Sequence, residues 1–432
     1  MSVEMVIPPA TVVQDALRAT TERLAHELAC PTDITPSWSE FEWRAARAAV
    51  AIHGVGPLLA GSLRWQGPPG WHAFLEDQRE QTEKRHRRIE ALAKLIDQQA
   101  REAGIPMVAL KGAALHELGL YRAGERPMAD LDLLVEEPDM AVSTELLEAL
   151  GFHTELSFWK NRVFKVDGEA GSGLGERSDH PIKVELHWRI RERLPLELTD
   201  ISQTVFPTNP RPGLNPYPSR VALLMHLVLH AAGAMASRDL RLVHVHDLAL
   251  VCGGMRAADW EEILRQGESG TRGPWWFLPP LQLARRYYPD IIPGPVLSRL
   301  QSACPARLRR ATTRQSMTDF SLSSLWVRAF PGIEWAQSGS EAFRYILGRV
   351  RPDAEARRIR NIDVASAAWA AQSHWQGLSQ RYRIVRWVTS RPTRPATMYV
   401  VRQTLAQPLQ LENPHTLAQP LQLEDSHTLA VQ

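Results

Sequence analysis

At 432 residues the chain is longer than one ordinary core needs and suggests two or three structural units. Hydrophobic residues at 44% and charged residues at 23% exclude a disordered or membrane-embedded class, and a formal charge of +2 gives no whole-molecule pull toward nucleic acid. Cys30, Cys252 and Cys304 are widely separated and form no C-x-x-C pair, so neither a disulfide framework nor a structural zinc site is indicated. A reducing cytoplasm is therefore the expected location. The amino terminus has no basic-then-apolar leader pattern, and the sequence holds no run of about 18 apolar residues, so neither export nor membrane spanning is expected.

Residues 1–100 are predicted to form an N-terminal helical region, because apolar positions recur at three and four in WSEFEWRAARAAVAIHGVGPLLAGSL. A long helix is predicted from about Trp71 to Ala103, with Gly104 as its stop. The period then changes. MVAL is a short strand entering Lys111-Gly112, AALHELGLY a helix, LDLLV a second strand and EPDMAVSTELLEALGF another helix. SFWKNRVFKV and PIKVELHWRI read as extended, with DGEAGSGLGERSD between them as a mobile hairpin tip. Residues 101–215 are thus a mixed-sheet core of α+β class, closed by the proline-rich connector FPTNPRPGLNPYPS. A separate helical region is expected over 216–395, followed by a disordered tail over 396–432 in which TLAQPLQLENPH recurs as TLAQPLQLEDSH.

The chemistry-bearing residues lie in the core. In ADLDLLV, strand alternation places Asp130 and Asp132 on one face and Leu131 and Leu133 on the other. Like charges so close require a cation, and oxygen-only ligands suit Mg²⁺, with Mn²⁺ as its substitute. KVELHWRI repeats the logic: Lys183, Glu185, His187 and Arg189 share a face, which makes Glu185 the natural third carboxylate. Such a trio suits two-metal phosphoryl transfer. Lys111, Gly112 and Arg126 are the expected phosphate-binding residues, through positive charge and close backbone approach, and His187 is a further nucleotide-side candidate. Trp188 is expected in the core.

The segment IPMVALKGAALHELGLYRAGERPMADLDLLV, followed by KVELHW, resembles the uncharacterised bacterial nucleotidyltransferases of the DNA polymerase β-type superfamily. LLMHLVLHAA, the stretch from Leu242 to Asp247 and AFPG around Phe330-Pro331 extend the similarity to about residues 40–350. The resemblance implies a small mixed sheet flanked by helical regions. It also implies transfer of a nucleoside monophosphate from an NTP, ATP foremost, to a hydroxyl-type acceptor, either a small molecule or a protein. The sequence departs from the superfamily pattern in one place: Lys-Gly replaces the usual Gly-Ser or Gly-Gly turn, and the gap from Gly112 to Asp130 is longer than usual.

Two other readings compete. His226 and His230 stand four apart on a helix, and His246-Asp247 resembles the His-Asp pair of metal-dependent phosphohydrolases, although no Glu follows His226 as a zinc-protease motif requires. The third reading is a non-catalytic adaptor that keeps the fold and binds nucleotide or a partner protein. The basic segments ARLRRATTR, GRVRPDAEARRIR and RYRIVRWVTSRPTR read as solvated helix faces rather than a nucleic-acid surface.

Overall fold

A computed structural model describes residues 7–168, 173–268, 274–354, 357 and 378–406. The N-terminal helical region comprises α1 (Ala10–Ala29), α2 (Glu40–His53), α3 (Gly56–Ser62) and α4 (Pro69–Glu102). Ser39 starts α2 with a capping box, its hydroxyl accepting from the Glu42 amide while the Glu42 carboxylate accepts from the Ser39 amide. The long helix expected from Trp71 is α4. Its solvent side carries i,i+4 ion pairs such as Glu80–Lys84 and Glu90–Lys94, and its other stripe buries Leu75, Arg85, Ile89 and Ile96.

The core follows as β1 (Pro106–Ala109), α5 (Lys111–Glu117), β2 (Asp130–Leu134), α6 (Met140–Ala149), β3 (His153–Ser157), β4 (Asn161–Lys165) and β5 (Lys183–His187). After a small ribbon of β6 (Arg191–Arg193) and β7 (Leu198–Asp200) and the short α7 (Ser202–Val205), the chain adds β8 (Gly213–Asn215). Six strands form one sheet in the order β3-β4-β5-β2-β1-β8. β2 runs parallel to β5 and antiparallel to β1, so the sheet is mixed and the fold is α+β as the sequence predicts. Leu131, Leu133, Val184 and Leu186 pack on one face against Ile89 and Ile96 of α4 and Leu146 and Leu147 of α6. Trp188 lies half-buried at the edge of that cluster.

Over the other face lies α8 (Arg220–Ser237), packed on α9 (Leu242–Gly253), α10 (Ala257–Glu268) and α11 (Leu278–Tyr287). By length and composition α8 is apolar enough to cross a membrane, yet 72% of it is buried inside this fold as its central helix. Residues of α2 and α3 share one apolar cluster with α8, α9 and α11, so the helical regions before and after the sheet meet around a common core.

Three expectations change. The proline-rich connector contains β8, which pairs in parallel with β1 because Gly213, at φ 93°, turns the chain back along it. The hairpin tip expected to be mobile is, over residues 173–180, tied to α4: Gln78 donates to the Leu174 carbonyl, Arg177 pairs with Asp77 and Ser178 donates to Gln81. The tail expected from residue 396 instead begins with a helix, Pro395–Ala406, which buries Val401 against α1 and α2. Residues 358–377 and the twelve-residue repeats beyond 406 lie outside the described residues.

One buried side chain sets the sheet. Arg85 of α4 donates from Nε to the Met128 carbonyl (2.7 Å) and from Nη2 to those of Ala129 (2.5 Å) and Pro181 (3.2 Å). Its Nη1 donates to the His180 carbonyl at 2.7 Å. These carbonyls immediately precede β2 and β5. Arg85→Met removes the donors and leaves buried acceptors without partners, so stability measured by urea denaturation is expected to fall by about 3 kcal/mol or more. An unchanged midpoint and slope would rule out the clamp.

His53 provides a pH-dependent link between α2 and α9. Its Nδ1 accepts from the Leu242 amide (3.1 Å) and its Nε2 lies 2.9 Å from Ser323 Oγ, and burial pushes its pKa down to about 3. The unfolded imidazole titrates near about 6.5, so the contribution of neutral His53 is complete above that pH and declines as pH falls toward the folded value. The stability gap between wild type and His53→Gln is therefore expected to narrow from pH 7 toward pH 4 in urea melts. A constant gap would contradict this.

Candidate functional site

The parallel register of β2 and β5 sets Asp132 opposite Glu185, and Leu134 opposite His187. With side chains alternating along each strand, Asp130, Asp132, Glu185 and His187 fall on the face turned to α8. Asp130, Glu185 and His187 line a cavity of about 380 Å³ there, together with Lys111, Lys160 and Arg191 and, from α8, His226 and His230.

Within this face the side chains form a continuous network. Lys111 Nζ donates to Asp132 Oδ1 at 2.7 Å. His187 Nε2 lies 3.1 Å from the same oxygen and 3.4 Å from Glu185 Oε2. Asn161 Nδ2, from the neighbouring β4, donates to Glu185 Oε2 at 3.0 Å. Lys111 sits at the turn from β1 into α5 with φ 46°, a left-handed conformation unusual for lysine. There its amide donates to the Tyr217 hydroxyl (3.2 Å), which in turn lies 2.6 Å from His226 Nδ1.

Electrostatics follow from this crowding. Burial, then the neighbouring Asp132 and Glu185 charges, push the Asp130 pKa up to about 7. Burial acts the same way on Asp132, but the Lys111 ammonium and the His187 hydrogen bond overcome it and hold that carboxyl well below the usual carboxylate range. Glu185 is also lowered against its burial, chiefly by the His187 hydrogen bond. His187 is raised despite being buried, through its bonds to Asp132 and Glu185. Lys111 and His187 are thus engaged by Asp132 and Glu185, and among the described residues Asp130 is the carboxyl left without a direct cationic partner.

The donor atoms of Asp132, Glu185 and His187 lie within 4.8 Å of one another, and Asp130 stands two residues along the same strand face with no ion-pair partner among the described residues. Three carboxyl groups and one imidazole make a donor set that fits a divalent cation such as Mg²⁺ or Mn²⁺.

Several expected residues take different places. His187, expected beside the nucleotide, sits within the carboxylate set. Arg126, expected at phosphate, is buried and committed to Asp247 of α9: its Nε and Nη2 donate to the two carboxylate oxygens at 2.8 and 2.7 Å, and Tyr121 donates to Oδ1 at 2.6 Å. Gly112 was expected to admit a phosphate to the backbone. A Cβ there would lie 2.4 Å from Arg126 Nη1 and 2.8 Å from Met128 Cγ, so the chain's own side chains occupy that space. Lys111, expected at phosphate, lines the cavity and donates to Asp132.

The same contacts dissolve the phosphohydrolase reading. Asp247 is taken by Arg126, His246 Nδ1 meets the Tyr288 hydroxyl at 2.8 Å, His226 meets Tyr217, and His230 packs edge-on against His244. The histidines do not converge on a common ligand point. Sequence reasoning missed Arg85, Asn161 and Tyr217. Asn161 was open to inference, since NRVFK alternates and adds Asn161 to the acidic face; Arg85 and Tyr217 act across the tertiary fold and leave no local signal.

A mixed sheet with an acidic face roofed by helices defines an α+β domain whose Asp132, Glu185 and His187 could hold a metal ion. The family model described as uncharacterised nucleotidyltransferase matches residues 39–272, and the chain belongs to that family. The match spans the sheet, the carboxylate set and both α8 and α9. Membership supports nucleotidyl transfer as the general activity. No curated protein and no solved structure matches the chain.

Replacing Lys111 by methionine leaves the carboxylates without their ammonium. In the presence of a chelator the variant is expected to lose about 3–5 kcal/mol, the cost of orphaning one member of a buried ion pair. Millimolar Mg²⁺ should restore much of that loss in a thermal melt. A variant as stable as wild type with chelator present would show that Lys111 does not neutralise the set.

Proposed function

We propose that the protein transfers a nucleoside monophosphate from an NTP, ATP foremost, to a hydroxyl acceptor, with Asp130, Asp132 and Glu185 as its metal-binding catalytic residues. One observation carries the reading: Asp132 and Glu185 are direct neighbours across two parallel strands, with Asp130 on the same face, and Asp130 and Glu185 line a cavity large enough for a substrate group. Family membership supports the reaction class.

Asp130, Asp132 and Glu185 would hold Mg²⁺, which when bound neutralises phosphate charge and lowers the pKa of an attacking hydroxyl. The chain's own groups do the rest. Glu185, at the cavity wall, accepts the proton of the acceptor hydroxyl; the acceptor oxygen bonds to the α-phosphorus, the bond from that phosphorus to the bridging oxygen breaks, and pyrophosphate leaves with the electron pair. Asn161 and His187 hold the Glu185 carboxylate in orientation. Lys111 keeps Asp132 ionised and in place. The α8 side of the cavity, with His226 and His230, forms the far wall against which an acceptor is enclosed.

The test is incubation of the protein with α-labelled ATP and lysate, in parallel with Asp132→Ala. Label is expected to reach an acceptor with wild type, to vanish with chelator and to fall at least about a hundredfold with the variant, as for loss of a main electrostatic group. Equal labelling by both proteins refutes the assignment. If ATP binds and no label moves under any condition, the adaptor reading replaces it.

A further inference from the structure

Of the two cations that the sequence offers for phosphate, Arg126 is committed to Asp247 and Lys111 is paired with Asp132. A triphosphate nevertheless brings several negative charges to the site. The cavity wall carries further cations beside Lys111. Trp159, in the turn between β3 and β4, lies under Arg191, whose guanidinium carbon is 4.5 Å from the ring centroid, and under Arg193 at 5.1 Å. Lys160 Nζ stands 5.9 Å from the same ring. Lys160 and Arg191 line the cavity that holds Asp130 and Glu185.

The two arginines are not balanced locally. Glu192 pairs with Lys160 at 2.5 Å, and neither Arg191 nor Arg193 has a carboxylate partner among the described residues. Arg191 donates from Nη2 to the Trp159 carbonyl, and its buried Nε has no hydrogen-bond partner. Stacking and that one hydrogen bond fix the guanidinium plane while leaving donor positions unspent. A planar guanidinium so held matches the oxygens of a phosphoryl group in paired fashion, and aromatic stacking reduces the ordering cost of doing so.

We infer that Arg191 and Arg193, braced on Trp159, form a phosphate-binding arm at the mouth of the catalytic cavity. This rests on the reading of that cavity as a nucleotidyl-transfer site. The arm receives a phosphoryl group of a bound substrate, whether from the NTP or from a phosphorylated acceptor, and competition distinguishes the two.

The experiment is calorimetric titration of the full chain with inorganic tripolyphosphate and with ATP, chelator present, for wild type, Arg191→Ala/Arg193→Ala, Arg191→Lys and Asp132→Ala. Wild type is expected to bind tripolyphosphate, with affinity falling as ionic strength rises. The double variant should bind about tenfold more weakly or worse, Arg191→Lys should recover part of the loss, and Asp132→Ala, which releases the Lys111 ammonium into the cavity, should bind at least as tightly as wild type. Competition with ATP assigns the arm to the donor, and additive binding assigns it to the acceptor. Wild-type affinity in the double variant, with its melting temperature unchanged, or no tripolyphosphate binding by wild type, overturns the proposal. In either case, label transfer that still depends on Asp132 leaves the proposed reaction standing.

Discussion

The acidic face exists because a single guanidinium holds two strands at their starting points. Arg85 reaches from α4 to the carbonyls just before β2 and just before β5, and so fixes where each begins relative to the other. In a parallel pair, a slip of one residue would send Glu185 to the apolar face and leave Val184 beside Asp132. The hydrophobic alternation resists that slip from one side of the sheet, through Leu131, Leu133, Val184 and Leu186. Arg85 resists it from the ends, where hydrophobic packing is weakest.

With register set, the difficulty becomes charge. Asp130, Asp132 and Glu185 share one low-dielectric face, and burial alone would drive all of them toward the neutral form. Lys111 and His187 divide the group unequally. Asp132 receives both partners and stays ionised, Glu185 shares His187 and receives the Asn161 amide, and Asp130 receives no direct cation. The left-handed turn at Lys111 makes this possible, because it folds the lysine back over β2. Here the residue acts as an internal counterion to the carboxylates, while Lys160 and Arg191 add positive charge to the wall of the same cavity.

Much of this was legible in the sequence. Period-two alternation in ADLDLLV and KVELHW carried the acidic face and its apolar reverse, and the change of period after Gly104 marked where helices yield to sheet. The pairing partners were not legible. Arg126 reads as a loop cation until α9 supplies Asp247, and the proline-rich connector hides β8 because a three-residue strand has too little pattern to show. The glycine-rich segment after residue 166 looked mobile for a sound compositional reason, yet Gln78, Asp77 and Gln81 on α4 capture its second half. Local composition registers what a segment costs to order, and says little about which distant side chains will order it.

The Arg126–Asp247 pair spans 121 positions of chain. During synthesis the arginine leaves the ribosome well before the aspartate that answers it, and the sheet it borders is complete in sequence at Asn215, before α9 begins at Leu242. A nascent chain stalled in that interval holds an unanswered guanidinium beside an unroofed acidic groove. Maturation of the groove therefore waits on translation of the downstream helices, and polypeptides released early remain open there, with apolar faces that chaperones and proteases can recognise.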